Sequence, residues 1–395
     1  MNNNNNNNII KIKTITMMKI KSLLLSMLCM LALGATMTAC SDDDDNDDLP
    51  VLNDEGSKVN LPSTRMFILN EGSNGHNNAG LAFYAPNKDA EFIGDIFFKQ
   101  NDQKMGDTAQ SIIKYNNNIY VAVNVSNYLV KLNSAGVEQK RISFVDNEEL
   151  GGGIRYIVAY DGYIYASFWG SAVAKINAET LEIEKTKQDA ELNSQFEAVA
   201  ICNGELYVAN SCSPSWEYYN EVFVFDTENL NRLRQVNTVA ANPYNQMVAT
   251  NNKVFFISND YSSMDGYVLQ VIEGKELNAK KIGNAAYMTL KDNTLYCINS
   301  ITDWSTYTTV NTFFTVNTDT YAINETSFLK DSDAATTLAG ATIYMLEVNP
   351  ANGDIYIGTT DYTNNGTIYR FKADGTFVES FDAGGINPSH AVFFN

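Results

Sequence analysis

The feature that most constrains the fold is a short β-rich motif that recurs at intervals of 41 to 60 residues. Each copy holds β-branched and apolar residues around one aromatic, as in NIYVAVN (118–124), a pattern typical of a strand buried on both faces. Repetition at such intervals indicates a repeat architecture, and the repeated aromatics are expected to pack in the core. These aromatics are Phe67, Tyr120, Tyr165, Tyr207, Phe255, Tyr296 and Tyr356.

Every copy has neighbouring strand-like segments at fixed offsets. An apolar segment precedes it across a turn such as YDGY (160–163), and another follows it, as in EVFVF (221–225). A weaker fourth segment follows turns such as KADG (372–375). Four antiparallel strands in about 45 residues, joined by turns that contain Asn-Gly or Asp-Gly, predict the blade of a β-propeller.

The ends of the repeat array predict how the ring closes. The first copy, at Phe67, lacks a first strand, whereas NPSHAVFF (387–394) is a first strand without a partner. Joining them in one blade completes an all-β, seven-bladed β-propeller over residues 61–395, which removes free sheet edges. The alternative is an eight-bladed ring, with a cryptic blade in the longer interval at 297–355.

The N-terminal residues predict a secretion signal. Two lysines precede an apolar run of eleven residues, Leu23–Leu33, which is too short to cross a bilayer as a helix. Small residues then lead to Cys40, and this pattern resembles a bacterial lipobox, in which the cysteine is acylated. We expect residues 1–39 to be a signal peptide, with translation starting at Met17 or Met18. An ordinary signal that is cleaved elsewhere is the alternative.

Six aspartates follow Cys40 within residues 41–48. Because a block of like charge stays solvated, residues 40–60 are expected to form a lipidated, acidic, disordered tether. The run resembles the signal that sends lipoproteins of Bacteroidota to the outer face of the outer membrane. This resemblance implies a lipid-anchored protein that faces the cell exterior and contacts the membrane through its lipid only. An anchor that faces the periplasm is the alternative.

Three short motifs carry a family resemblance: FILNEG (67–72), GDTAQS (106–111) and GINPSH (385–390). They are similar to motifs of the YncE-like surface-layer β-propeller lipoproteins of Bacteroidota, and especially of the BtuG cobalamin-capture family. The resemblance covers about residues 61–395. It implies binding of a corrinoid and its transfer to a TonB-dependent outer-membrane transporter, but it transfers no ligand contact residue by residue. A surface propeller that holds another protein or a glycan is the alternative.

Long, aromatic-rich loops are expected on one face of the disc, between the second and third strands of the blades. One of them is NSITDWSTYTTVN (299–311). Aromatic side chains in such loops offer rigid, amphipathic contact area to a ligand or partner, unless they fold inward over the blades. The candidate binding aromatics are Trp169, Trp216, Tyr218, Tyr261, Trp304 and Tyr307, with Tyr219 and Tyr362 nearby.

A second set of candidates comes from aligning the first strands of the blades. One column at the strand entrances is mostly polar, whereas the strand interiors beyond it are apolar. A polar ring at the mouth of the channel suits a ligand, but Arg155 and Glu197 could equally pair there over trapped water. The column consists of Gln110, Arg155, Glu197, Asn245, Ala286, Ile343 and His390.

Composition argues against several classes of function. The net charge is −19 at pH 7, and residues 1–39 contain four lysines and no acid, so nucleic acid is not an expected partner. Two histidines exclude a three-histidine metal centre and disfavour a histidine base, and no GxSxG motif is present. The glycine runs at 72–75 and 151–153 lack the helix and lysine of a phosphate-binding loop. We expect a binding protein rather than an enzyme, with no required cofactor or metal and no positive indication of calcium.

Overall fold

The computed structural model describes residues 52–189, 191–260, 266–303 and 305–395, which form strands and two short helices. The strands are β1 Arg65–Asn70, β2 Gly80–Tyr84, β3 Ala109–Tyr115, β4 Asn118–Val123, β5 Tyr128–Leu132, β6 Glu138–Ser143, β7 Ile154–Tyr160, β8 Tyr163–Phe168, β9 Ala172–Asn177, β10 Ile183–Gln188, β11 Gln195–Cys202, β12 Glu205–Cys212, β13 Tyr218–Asp226, β14 Arg232–Asn237, β15 Pro243–Thr250, β16 Lys253–Asn259, β17 Tyr267–Glu273, β18 Lys280–Gly283, β19 Tyr287–Lys291, β20 Thr294–Asp303, β21 Thr308–Asn317, β22 Ile323–Asn324, β23 Ile343–Val348, β24 Ile355–Thr359, β25 Thr367–Phe371, β26 Phe377–Asp382 and β27 Pro388–Phe394. The helices are α1 Ile96–Asn101 and α2 Asp333–Leu338.

The strands form seven antiparallel sheets that are the blades of a β-propeller. Blade I contains β27, β1 and β2, and blades II to VII take four consecutive strands each: β3–β6, β7–β10, β11–β14, β15–β18, β19–β22 and β23–β26. The first strand of each blade contacts the first strand of the next, and β27 contacts β3, so the inner strands close into a ring. The seven-bladed prediction is confirmed. The described part of the interval 297–355 holds strands of blades VI and VII and α2, and no eighth blade.

Blade I closes the ring by pairing the two ends of the array. β1 lies between β2 and β27, with Phe67 opposite Phe83 on one side and Val392 on the other. In place of a fourth strand, Phe83 and Ile93 exchange two backbone hydrogen bonds of 2.8 and 3.1 Å. This pairing confirms the predicted closure, and it leaves β1 hydrogen bonded along both of its edges.

The core lies between neighbouring blades, because each buried strand is covered by sheets on both sides. Tyr120 and Tyr165 are each 1% exposed, as the repeat predicts. Their hydroxyl groups donate to carbonyl oxygens of the following blade, Ala178 at 2.7 Å and Thr227 at 2.8 Å. At these two positions the repeated aromatic fills the core with its ring and satisfies its hydroxyl in a neighbouring turn. At Tyr356 the buried hydroxyl has no hydrogen-bond partner among the described residues.

Alternating strand directions give the disc two different faces. On one face lie the loops between second and third strands and the connections from each blade to the next, which we call the long-loop face. The other face, the short-turn face, carries the remaining turns. The predicted loop 299–311 is largely wrong, because β20 and β21 stay paired as far as Asp303 and Thr308 and form a protruding hairpin. The second-to-third-strand loops of blades II and III are also short, at 124–127 and 169–171.

The segment before β1 packs on the short-turn face. Asp54 accepts two hydrogen bonds from the buried guanidinium of Arg65, at 2.9 and 2.8 Å. The hydroxyl of Ser134 donates to the carbonyl oxygen of Asn53 at 2.6 Å. The propeller unit starts at Leu52, nine residues before the boundary expected from the sequence. In the described ranges no helix is long and apolar enough to cross a membrane.

Candidate functional site

The candidate site lies at the mouth of the central channel on the long-loop face, where the inner strands begin. The register of β3, β7, β11, β15 and β23 shifts within their first few residues. A β-bulge breaks the two-residue alternation of a strand and re-aims its side chains. These entrances can therefore present neighbouring residues to the channel, and not one residue per strand as the alignment assumed.

Gln110, Arg155 and Glu197 contact one another as a single network at this mouth. The Nε of Arg155 donates to Oε2 of Glu197 at 2.8 Å, and its Nη1 donates to the side-chain oxygen of Gln110. Gln110 donates from Nε2 to the hydroxyl of Tyr156 at 2.9 Å. Arg155 is 3% and Glu197 2% exposed, so the ion pair is sealed from water. A ligand at this mouth would meet charges that already neutralise each other.

Trp169 belongs to the same network, although the sequence placed it among the rim aromatics. Its indole N–H donates to Oε1 of Glu197 at 2.8 Å. The guanidinium carbon of Arg155 lies 4.5 Å from the centroid of the indole ring, within the range of a cation–π contact. Burial raises the pKa of Glu197, and Arg155 and Trp169 oppose that shift by stabilising the carboxylate. The indole is thus held in one orientation by two buried partners.

A second carboxylate, Glu71, lies near this network. Its Oε2 accepts from the hydroxyl of Tyr344 at 2.7 Å. Burial raises the pKa of Glu71, against the hydrogen bond from Tyr344 and the charges of Arg155 and His390. Burial also raises the pKa of the Tyr344 hydroxyl, which therefore remains a donor. The mouth therefore carries a partly buried acid whose charged form is disfavoured.

The other ring positions differ from one another. His390 lies 3.2 Å from Glu347, measured from Nδ1 to Oε1. The side-chain oxygen of Asn245 is buried and has no hydrogen-bond partner among the described residues. Ala286 and Ile343 are buried apolar members and add no polar group to the mouth.

Three aromatics of the long-loop face project into solvent. Trp216, Tyr307 and Tyr362 are 69%, 81% and 59% exposed, and their φ angles are 66°, 53° and 63°. Positive φ is uncommon for bulky residues, and such strain can mark functional sites. Leu181, Leu230 and Tyr321 of the short-turn face share this backbone conformation, so exposure is what distinguishes the three aromatics. Tyr218 is partly buried at the start of β13. Tyr261, Trp304 and the lipidation candidate Cys40 lie outside the described residues.

Sequence reasoning missed several residues at the channel mouth. Tyr156 and Tyr344 each follow a ring position by one residue, so the next alignment column contained them, together with Tyr287. Glu71 comes from the end of a second strand, and only its place in FILNEG drew attention to it. A search for polar residues in both columns would have found the tyrosines, but nothing local in the sequence indicates that Glu71 reaches Tyr344.

The connecting segments of the long-loop face carry more acidic than basic residues. Taken together, eight of its described connecting segments include acids but no lysine or arginine: 71–79, 124–127, 144–153, 169–171, 213–217, 238–242, 360–366 and 383–387. The longer connections 94–108 and 325–342 carry Lys99, Lys104 and Lys330. In the described residues no group of three or more His, Cys, Asp and Glu side chains is arranged to hold a metal ion. The face therefore offers aromatic area, hydrogen-bond acceptors and a negative potential, which disfavours an anionic partner.

Comparison with known proteins supports the fold and little beyond it. A family described as a domain of unknown function, DUF5074, matches residues 64–142, and no curated protein matches the chain significantly. The computationally designed Ika8 protein is similar with a TM-score of 0.50 and 10% identity, over 82% of this chain and 88% of its own. A chain of the mitotic checkpoint complex has a TM-score of 0.50 and 11% identity, over 71% and 80%. The protein is a seven-bladed β-propeller with a DUF5074-like region in blades I and II.

Proposed function

We propose that the protein is a surface lipoprotein that binds a ligand on the long-loop face without transforming it. The observation that carries this proposal is the strained and exposed set Trp216, Tyr307 and Tyr362, placed around a buried polar mouth. Strained backbone that holds large apolar side chains in water is unfavourable for the free protein, and contact with a ligand would offset that cost. The short turns of the opposite face carry ion pairs such as Lys131–Glu179 and Arg234–Glu205.

A corrinoid is the leading ligand in this proposal. The support is the resemblance of the FILNEG, GDTAQS and GINPSH motifs to cobalamin-capture lipoproteins, and the first two lie within the region that matches DUF5074. A corrin ring is large and flat, so it can contact rim aromatics and the channel mouth at the same time. Delivery would then be to a TonB-dependent transporter in the outer membrane, with Cys40 as the lipid anchor.

Calorimetry on residues 41–395 tests this assignment, with cyanocobalamin as the titrant. Single alanine substitutions of Trp216, Tyr307 and Tyr362 should weaken binding by about 1–3 kcal/mol each, or about 5- to 150-fold, because stacking concentrates binding energy in a few residues. Lys291→Ala, on the short-turn face, is the control and should bind as the parent does. If all three folded variants bind within about twofold of the parent, this face does not hold the corrinoid.

A protein partner is the second candidate, and the blade VI hairpin favours it. Ile301, Tyr307 and Val310 are exposed there by 63%, 81% and 55%, an apolar tip that stands beyond the blade. Exposed apolar patches of this kind mark interaction sites. Failure to bind cyanocobalamin, together with crosslinking of a Tyr307→Cys variant to one outer-membrane protein in cells, would favour this alternative.

A further inference from the structure

A cavity of about 620 Å³ opens on the long-loop face between blades II and III. It lies between the loop 124–127, the connection 144–153 and Trp169, so it shares one side chain with the channel mouth. Its volume is within the range of about 300–1,000 Å³ that is usual for small-molecule sites. Arg155, Gln110 and Glu197 do not line it, which makes it a separate space from the buried network.

The glycine run 151–153 builds the wall of this cavity. A Cβ atom on Gly152 would lie 2.8 Å from the backbone nitrogen of Gly170, and one on Gly170 would lie 2.1 Å from the carbonyl oxygen of Leu150. Any side chain here would separate the two segments. The run therefore lets the connection 144–153 pack directly against the backbone beside Trp169, a role that the sequence left unexplained.

The asparagine side chains that line the cavity hydrogen bond to the backbone of the surrounding loops. Nδ2 of Asn124 donates to the carbonyl oxygen of Ile154 at 2.8 Å, and Oδ1 of Asn127 accepts from the N–H of Ile154 at 3.1 Å. Oδ1 of Asn147 accepts from the N–H of Glu149 at 3.1 Å. These bonds fix both loops, so the cavity is formed before any ligand arrives.

The cavity also holds polar groups that have no partner within the described chain. The exposed carboxylates of Asp146 and Glu148 form no ion pair there and accept no hydrogen bond, and the N–H groups of Gly151–Gly153 donate none. Neither lysine nor arginine is among the lining residues. Unused acceptors and unused donors therefore line one space, beside the indole of Trp169.

We propose that this cavity binds a neutral carbohydrate, with room for at least one hexose ring. Hydroxyl groups donate to carboxylates and accept from backbone N–H groups, so a sugar can satisfy both sets at once. The apolar C–H face of a sugar ring can stack on an indole, and Trp169 is held still for this by Glu197 and Arg155. An anion would be repelled by Asp146 and Glu148, and an organic cation would leave the glycine N–H groups without an acceptor.

The test titrates the chain from residue 41 to 395 with glucose, galactose, mannose and N-acetylglucosamine in the millimolar range, followed by tryptophan fluorescence and ligand-observed NMR. Glucuronate and glucosamine, which carry opposite charges on the same ring, are the contrasts. At least one neutral sugar should bind, and glucuronate should bind more weakly than glucose. Absence of binding by all four neutral sugars, or preference for either charged sugar, would overturn the proposal.

Variants then locate the site without disturbing the core. The double variant Asp146→Asn, Glu148→Gln alters two exposed side chains and should weaken sugar binding at least about tenfold, because charge-assisted hydrogen bonds are lost. Glu191→Gln changes another exposed acid on the same face, outside the cavity, and should leave sugar binding intact. Unchanged sugar affinity in the double variant would place the sugar elsewhere. Because these residues lie outside the channel mouth, cyanocobalamin binding should not change, so the two proposals fail separately.

Discussion

Replacing Arg155 with methionine tests whether the channel mouth is held together by its buried ion pair. Methionine keeps the apolar length of the side chain but removes the guanidinium that lies 2.8 Å from Glu197. Glu197, which is 2% exposed in the parent protein, would keep the indole N–H of Trp169 as a side-chain donor at 2.8 Å. One charge would stay buried without its counter-charge.

The expected loss is large for one substitution. Breaking a buried pair by removing one partner costs about 3–5 kcal/mol, because the other charge stays desolvated. The entropy of unfolding of a unit this size is roughly 0.7 kcal/mol/K near 60 °C, so a loss of about 4 kcal/mol lowers Tm by about 6 °C. Adding Glu197→Gln removes the stranded charge while keeping an acceptor for Trp169, so the double variant should be more stable than Arg155→Met alone.

Scanning calorimetry and urea unfolding at pH 7 measure both effects. Lys330→Met is the matched control, because it removes a cation from the exposed pair with Asp374 and should leave the transition close to that of the parent. Our reasoning is refuted if the free energy of unfolding of Arg155→Met stays within about 1 kcal/mol of the parent value. It is also refuted if adding Glu197→Gln to Arg155→Met lowers the free energy of unfolding by as much as Glu197→Gln does alone.

Three more predictions concern the closure of the ring, the partly buried acid Glu71 and the anchor. Deleting residues 388–395 exposes one edge of β1 and should cost more than the roughly 0.5–3 kcal/mol of a typical point substitution, measured by urea unfolding and aggregation by light scattering. Glu71→Gln should raise Tm at neutral pH, because burial raises the pKa of Glu71 and makes its charged form destabilising. This gain in Tm should disappear as the pH falls towards the ordinary pKa of glutamate, where Glu71 itself becomes neutral. A gain in Tm that is independent of pH would contradict this reasoning. Cys40→Ala should move the protein from the membrane to the soluble fraction, and continued membrane fractionation would exclude acylation at this residue.

The sequence was sufficient for the architecture because each blade repeats one local pattern. The repeated aromatics, such as Tyr120 and Tyr165, mark the strands that are buried in the core. The incomplete repeats at Phe67 and 387–394 show which two strands pair to close the ring. The loop 299–311 was misjudged because its polar residues and tryptophan conceal the cross-strand pair Ile301–Val310, which continues the hairpin beyond the blade. Strand extension into solvent is decided by cross-strand pairing, which composition alone does not reveal.

The candidate site was only partly predictable. The alignment placed Gln110, Arg155 and Glu197 at one level of the channel, and they do contact one another. It did not predict that Trp169 turns inward to Glu197. That orientation depends on the short loop 169–171 and on the close packing of Gly152 against Gly170, which are features of the tertiary structure. Bulges at the strand entrances also broke the alternation on which the alignment depended, and they brought Tyr344 towards Glu71.

The packing of residues 53–59 fixes the N-terminal end of the described propeller on the short-turn face. Asp54 and Arg65 fasten the chain there, on the side of the disc that lies away from the channel mouth. If Cys40 is acylated as proposed, the twelve residues from Cys40 to Leu52 limit the distance between the lipid and the propeller to about 43 Å. Asn395 also lies on that side, bonded to Asn349 at 3.0 Å, so immobilisation through either end of the described propeller leaves the aromatic face open to the medium.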